Sequence, residues 1–333
     1  MGRNSRLGIF DIALDELETK KGESEQKIYN KKVNTSSFDQ LTVNDAIRTV
    51  LKQMNVSGFR QRTIQDYNYY FESFVKITKV TYVHEITNDK IYMWLDSMPV
   101  STQTKHTRLK QLKAVLSRFF NNGWLENKFW TSIRIKVDQK IKEGTTEQEI
   151  SVLLSLLDYS NYVQMRDAVA VMLMWETGIR IRTLSSLEVH HIDFKTNTLN
   201  LSGELLKGRK QLKIPFSNET EKYLNVLIEV GNRIKKYYKQ DNTLVFVTMH
   251  GKSVINKTSN AISKKLTKYS KQYGLKNINP HAIRRGFAKK LLKKGCNVAL
   301  ISKALGHSNL EVTTKYLDLT VEEVVNELRE FID

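Results

Sequence analysis

Residues 162–176, Y-V-Q-M-R-D-A-V-A-V-M-L-M-W-E, are apolar almost all the way round a helix. A helix of that kind has no face to give to water, so it belongs at the centre of a domain with other elements packed around it. Its uninterrupted apolar run, Ala168 to Trp175, falls far short of the ~20 residues that span a bilayer. Burial inside protein is what remains. A capping box, Thr146-Glu147-Gln148-Glu149, precedes Ile150, Leu153, Leu154 and Leu157 and opens this domain. Strand-like patches follow over His191–Leu201 and Lys210–Pro215, with Gly208 suited to the turn between them and Phe246 on a further short strand. From Ser259 onward the pattern is helical. The last helix opens on a second capping box, Thr320 to Glu323, and carries Val321, Val324, Val325, Leu328 and Phe331 on one face.

The first half of the chain has a different texture. Helical spacing appears over Asn44–Met54, over Arg62–Val75 (Ile64, Tyr67, Phe71, Phe74), over Thr87–Leu95, and over Thr104–Asn121. The last of these buries Leu109, Leu112, Leu116, Phe119 and Phe120 and crowds Lys105, Arg108, Lys110 and Lys113 on its other surface. Arg60 and Arg62 add a second basic cluster at a helix start. Residues 1–37 are polar and read as a short stub followed by a flexible arm, although a short amphipathic helix could form around Asp11–Lys20, and residues 132–144 are charged and aperiodic. The expected organisation is an N-terminal arm (1–37), a helical domain (38–131), a linker (132–144) and a second domain (145–333) ending in an interaction helix.

Composition narrows the partner. The 53 Lys and Arg outweigh 35 Asp and Glu, leaving a net charge of +18, which calls for a polyanion. One cysteine, Cys296, allows no internal disulfide and no cysteine-cluster zinc site. The N-terminal Met-Gly-Arg-Asn-Ser-Arg leads into no apolar signal region. A cytoplasmic protein, without membrane partner, metal or cofactor, is expected.

The chemistry lies in five short stretches of the second half. They are T-G-I-R at Arg180, L-L-K-G-R-K at Lys207, H-A-I-R at His281 and Arg284, L-G-H-S at His307, and T-T-K-Y at Tyr316. Singly each has an ordinary explanation: an arginine after a turn is solvated, and a histidine after Leu-Gly caps a helix. Together they supply two guanidiniums, two imidazoles, an ammonium and a phenol. Such a set can bind a phosphodiester, stabilise it as negative charge develops, and attack it through tyrosine.

In that order and spelling the chain resembles the tyrosine recombinases, also called the phage integrase family. The resemblance is strong from about Thr146 to Tyr316 and rests on architecture alone in the N-terminal helical block. It implies a mostly α fold with a small β-sheet: a helical core-binding bundle, with DNA contacts expected at Arg60, Arg62, Lys105 and Arg108, and an α+β catalytic domain. It further implies that Arg180 and Arg284 clamp the phosphate and His281 acts as the base. His307 donates to the phosphate, Lys207 on a β-hairpin protonates the departing 5′-hydroxyl, and Tyr316 is the nucleophile. Lys207 is preferred to Lys210 by its spacing to Pro215. The implied activity is site-specific breaking and rejoining of double-stranded DNA through a 3′-phosphotyrosine bond, by four protomers on two sites, with accessory DNA-bending or directionality factors. The implied setting is a mobile element of a bacterial host, associated with the nucleoid.

Two positions depart from the family pattern. Thr183 stands where an acidic residue is usual, three after the first arginine and beside an added Arg182, and Arg285 stands where histidine is common. Two other readings share the residues: an integrase-fold DNA-binding regulator without chemistry, and a type IB topoisomerase. The complete set of six argues against the first, and the spelling L-G-H-S-N-L-x-V-T-T-x-Y against the second.

Overall fold

The computed structural model describes residues 40–137, 142–206, 211–256 and 259–306, with Thr313 and Leu317 beyond them. The chain divides into two compact units that part between Gln139 and Lys140. The helix that could form over 11–20, the helix expected over 320–331 and the turn at Gly208 lie outside the described residues.

In the first unit, side-chain oxygens of Thr42, Thr87 and Ser101 accept the backbone N–H groups of Asp45, Lys90 and Thr104. Each thereby satisfies a donor that a helix start leaves without a partner. Helices α1 (Val43–Val56), α2 (Gln61–Thr78), α3 (Asn88–Asp96) and α4 (Thr102–Asn121) result. They cover the four helical segments read from the spacing and pack as a bundle around α2. Its centre is aromatic: Phe71 meets Phe119 edge-on at 5.3 Å, and Phe74 meets Trp94 at 6.0 Å. Phe120 departs from the expected core, being only half-buried, with the Lys128 ammonium 4.7 Å above its ring. Lys113 departs in the other direction. It donates to the Ile133 carbonyl at 2.6 Å, and burial holds its ammonium below the ordinary lysine range. Ile133, in the segment read as a linker, belongs to this unit's core.

The second unit opens with α5 (Glu147–Leu156), started by the capping box seen in the sequence. Thr146 Oγ1 accepts from the Glu149 N–H, and Glu149 Oε2 accepts from the Thr146 N–H. Helix α6 (Tyr162–Thr177) is buried nearly throughout, from Met165 to Trp175. It packs against α8 (Asn218–Tyr237), α9 (Ala261–Gln272) and α10 (Pro280–Lys293), as its apolar circumference requires. Two short helices complete the described set, α7 (Ile181–Ser185) and α11 (Val298–Ala304).

The sheet is antiparallel in the order β1 (Ile192–Asp193), β2 (Thr198–Leu201), β3 (Leu212–Pro215). Leu199 pairs with Ile214 and Leu201 with Leu212, which puts the buried leucines on one face. Pro215 ends an edge strand, where a missing N–H costs nothing. The strand patch read over 191–201 is in fact two strands. Asp193 Oδ1 accepts from the N–H groups of Lys195 and Thr196, and Asn197 takes φ +48°, so the chain turns where the hydrophobic pattern looked continuous. The strand expected at Phe246 does not form either. Only isolated bridges flank it, at Leu244 and Val247, and Phe246 is apolar because the core surrounds it on all sides.

One feature of α6 escaped its apolar reading. Arg166 and Asp167 are both buried and paired, Arg166 Nη2 to Asp167 Oδ1 at 2.6 Å. Tyr269 donates to Asp167 Oδ2 at 3.1 Å, and Arg166 Nη1 to the Val247 carbonyl at 3.1 Å. Removing one partner of such a pair leaves the other charge buried, which costs about 3–5 kcal/mol. Asp167→Ala should lower the urea midpoint of this unit accordingly, and Tyr269→Phe should cost about 1 kcal/mol; equal midpoints for wild type and Asp167→Ala would contradict the assignment.

Candidate active site

The site is assembled at the place where α6 ends. Gly178 caps that helix in the left-handed conformation, φ +61°, and a Cβ there would come within 2.3 Å of the Phe287 ring. Only glycine fits. The chain then reverses through Ile179, and Arg180, extended at φ −70° and ψ 140°, forms the N-cap of α7.

On α10, the Asn279 side chain accepts from the Ala282 N–H, and Pro280 occupies the first turn. His281 and Arg284, one turn apart, thereby start the helix. Arg284 is 3 % exposed; it donates through Nη1 to the Gly178 carbonyl and through Nη2 to the Leu305 carbonyl. Arg180 Nη1 donates to the same Leu305 carbonyl at 3.5 Å. Both guanidiniums therefore converge on the C-terminal end of α11, two residues before His307. A guanidinium carries five N–H donors in a rigid fork, and the two carbonyls fix the plane of the Arg284 fork. A helix end carrying partial negative charge suits two cations.

His281 is accessible at the same place. Burial of its ring by surrounding atoms, and then the cations Arg285, Arg284, Arg180 and Lys142, hold it below the ordinary imidazole value. Its position at the positive end of α10 acts in the same direction. Both effects favour the neutral ring, which is the form able to accept a proton. Tyr162 and Tyr269, in contrast, are kept as phenols by burial: Tyr162 is pushed up to about 12, and Tyr269 is also raised. Neither is suited to attack.

Lys207, His307 and Tyr316 lie outside the described residues, but their sequence neighbours do not. Leu206, before Lys207, is in the unit's main core. Leu305, two before His307, and Leu317, directly after Tyr316, share one small core with Phe287, Ala288 and Ile301. Gly306 lies against the Leu212 side chain of β3, where a Cβ would stand 3.5 Å from it. The residue after Tyr316 thus packs in one cluster with Leu305, whose carbonyl the two arginines share, and Gly306 beside it touches the hairpin strand β3.

The departing positions are also accounted for. Thr183 is buried, and its Oγ1 donates to the Leu205 carbonyl at 3.3 Å, tying α7 to the hairpin base without a charge. Arg285 donates from Nε and Nη2 to the Glu143 carbonyl at 3.0 and 2.8 Å. Neither bond is readable from sequence, because each acceptor is a main-chain carbonyl remote along the chain.

The four basic residues of the first unit divide. Arg60 and Arg62 are exposed at the start of α2, with Arg62 paired to Asp66 at 3.0 Å. Lys105 and Arg108 on α4 are half-buried. The Arg108 guanidinium stands 6.0 Å above the Tyr70 ring and 3.4 Å from Met98 Sδ, so its contacts lie within the bundle. Among the described residues no three His, Cys, Asp or Glu side chains gather as a metal site would require, and no helix is long and apolar enough to cross a membrane.

Two converging arginines beside a histidine held low, on a helical domain with a small antiparallel sheet, are an arrangement whose chemistry suits a phosphate ester. Comparison with known proteins places it further. The phage integrase family profile matches residues 144–323, and the chain belongs to that family. It is 28 % identical over 251 residues to tyrosine recombinase XerC of Bacillus licheniformis, covering 74 % of this chain and 81 % of that one. With tyrosine recombinase XerA of Pyrococcus horikoshii it shares 24 % identity over 295 residues, 89 % and 95 % of the two chains. The fold matches the Tn1549 transposon integrase in complex with transposon right end DNA, with a TM-score of 0.67 at 17 % identity over 88 % of this chain and 100 % of that one. It also matches a lambda integrase dimer bound to a core site, with a TM-score of 0.65 at 14 % identity, over 90 % and 85 %.

The histidine makes a direct prediction. In the free protein an NMR pH series should give His281 a midpoint below the ordinary 6.5, so that the neutral ring persists as pH falls to 6.5; a midpoint above it would contradict the electrostatic picture.

Proposed function

We propose that this protein is a tyrosine-type site-specific recombinase that cleaves and rejoins double-stranded DNA through a 3′-phosphotyrosine bond. The observation that carries the reading is the convergence of Arg180 and Arg284 on the Leu305 carbonyl, beside His281. A phosphodiester attacked by a phenol passes through a pentacoordinate state that gains charge on its non-bridging oxygens. Two guanidiniums held rigidly before the reaction stabilise that charge without reorganising. The Tyr316 phenol is a weak nucleophile near neutral pH, with an ordinary pKa of about 10. It requires a neutral base in reach, which is the part assigned to His281. His307 donates to the phosphate, and Lys207 protonates the departing 5′-hydroxyl. The phosphotyrosine keeps the energy of the broken linkage, so rejoining draws on no ATP.

The partner is double-stranded DNA, bound chiefly through its phosphates by a chain of charge +18. Arg60, Arg62, Lys105 and Arg108 are the contacts favoured on the first unit, the first two being the more exposed. Four protomers on two sites, joined through the amphipathic segment 320–331 and aided by DNA-bending or directionality factors, complete the reading; the setting is the cytoplasm and nucleoid of a bacterial host. The related chains named tyrosine recombinase support this assignment.

The test uses nicked suicide duplexes made from the DNA flanking this protein's own coding sequence, with chelator present. Wild type should form a denaturation-resistant protein–DNA adduct and Tyr316→Phe none. Arg284→Ala should slow adduct formation about 10²–10³-fold, as loss of one transition-state donor does. Tight, specific binding by wild type and Tyr316→Phe with no adduct from either would make the protein a silent DNA-binding regulator instead.

A further inference from the structure

The chain enters the second unit through residues 142–145, and these run directly across the helix that carries His281 and Arg284. The crossing is unusually close. A Cβ on Gly144 would stand 2.7 Å from the Gly286 nitrogen, and a Cβ on Gly286 would stand 2.1 Å from the Thr145 carbonyl oxygen. The Thr145 N–H donates to the Ala282 carbonyl at 2.9 Å, and Thr145 Oγ1 to the Asn277 carbonyl at 2.5 Å. Asn277 in turn donates its N–H to Glu149 Oε1 at 3.1 Å and its Nδ2 to Glu143 Oε2 at 3.3 Å.

Outward along this strap, burial gives out. Thr145 is buried, Gly144 half-buried, and Glu143 and Lys142 exposed. A cavity of about 560 Å³ opens beside it, lined by Glu143, Gly144, Trp175 and the lysines of the second half of α10. The strap is therefore held by discrete polar contacts, not by packing on both sides. At Glu143 the main chain is held by Arg285, which places two guanidinium N–H groups on one carbonyl oxygen, while the side chain accepts from Asn277 Nδ2. Arg285 follows Arg284 in sequence and lies one helical turn from His281.

We propose that Arg285 is a positioning residue: it latches the strap 142–145 onto α10, and so sets His281 and Arg284 in register with the point where the chain enters the unit. The latch joins the main chain at Glu143, where the strap is already exposed, to the helix turn that bears two of the six candidate catalytic residues. Displacement of the strap at Gly144 would press on Gly286, two residues after Arg284. Arg285 has a second effect, because its charge is among the cations (with Arg284, Arg180 and Lys142) that face the His281 ring. This inference rests on the recombinase reading for its effect on rate, but not for its effect on the strap or on the imidazole.

The test separates the two effects with three variants of the full chain. Arg285→Ala removes latch and charge, Arg285→Lys keeps the charge without the two-pronged contact, and Gly144→Ala displaces the strap and leaves Arg285 intact. In single-turnover cleavage of the suicide duplex all three should be slower by about ten- to a hundredfold, as misplacement of a reacting group by about an ångström produces. Hydrogen exchange at the Thr145 amide should accelerate in all three. The His281 midpoint, read by NMR without DNA, should rise in Arg285→Ala alone. A folded Arg285→Ala protein with wild-type cleavage and wild-type Thr145 exchange would overturn the proposal. Should wild type itself form no adduct, the recombinase reading fails, while unchanged exchange and an unchanged His281 midpoint would show separately that the latch fails.

Discussion

A single carbonyl organises the second unit's site. The Leu305 oxygen accepts donors from Arg180, 125 residues before it, and from Arg284, 21 residues before it. Arg180 reaches it because Gly178 reverses the chain in a conformation closed to other residues, directly under Phe287. Arg284 reaches it because Asn279 and Pro280 start α10 one turn earlier. Two like charges brought this close would repel each other in the absence of a shared acceptor. The end of α11 supplies that acceptor and a partial negative charge with it. The convergence of the two guanidiniums is therefore a consequence of helix ends at three places among the described residues.

Much of this was legible in the chain. The capping box at Thr146 announces a helix start because its side chains do the same job in any context, whereas the caps Thr42 and Ser101 lie before the segments that spacing alone began at Asn44 and Thr104. The encircling apolarity of residues 162–176 gave α6 its central place for a similarly general reason. The order of Arg180, His281 and Arg284 was readable because the chemistry needs those residue types, and the structure brings the described three together. What could not be read depends on partners remote in sequence. The division of 191–201 into two strands turns on the Asp193 side chain accepting from Lys195 and Thr196. Phe246 has the composition of a strand residue, yet its burial comes from the surrounding core and not from a ladder. Lys113 and Arg108 have the spacing of a solvated basic face, and both turn back onto their own bundle.

The polar interior of the second unit works by a different logic from its site. Arg166 and Asp167 sit in α6 between the apolar Met165 and Ala168, and are compensated by one another, by Tyr269 and by the Val247 carbonyl. A hydrophobic pair of similar size would fill the same space without a desolvation cost. The bonds to Val247 and Tyr269 tie α6 to the segment after α8 and to α9, which apolar contacts alone would let slide. Registration of α6 matters here, because its last residue but one places Glu176 against the Ser217 N–H and hydroxyl at 2.9 and 2.7 Å, at the start of α8.

The Arg285 contact differs from an ion pair in what it asks of the sequence. Its acceptor is the main-chain oxygen of residue 143, which every amino acid carries. Mutational drift at that position leaves the acceptor in place, whatever side chain arrives. The two glycines at the crossing have no such freedom, since neither tolerates even a methyl group without moving the other's backbone or that of Thr145. Constraint on the strap's main chain is thus concentrated in the absence of side chains at 144 and 286 and in the Arg285 guanidinium, beside the side-chain bonds of Thr145, Asn277 and Glu143.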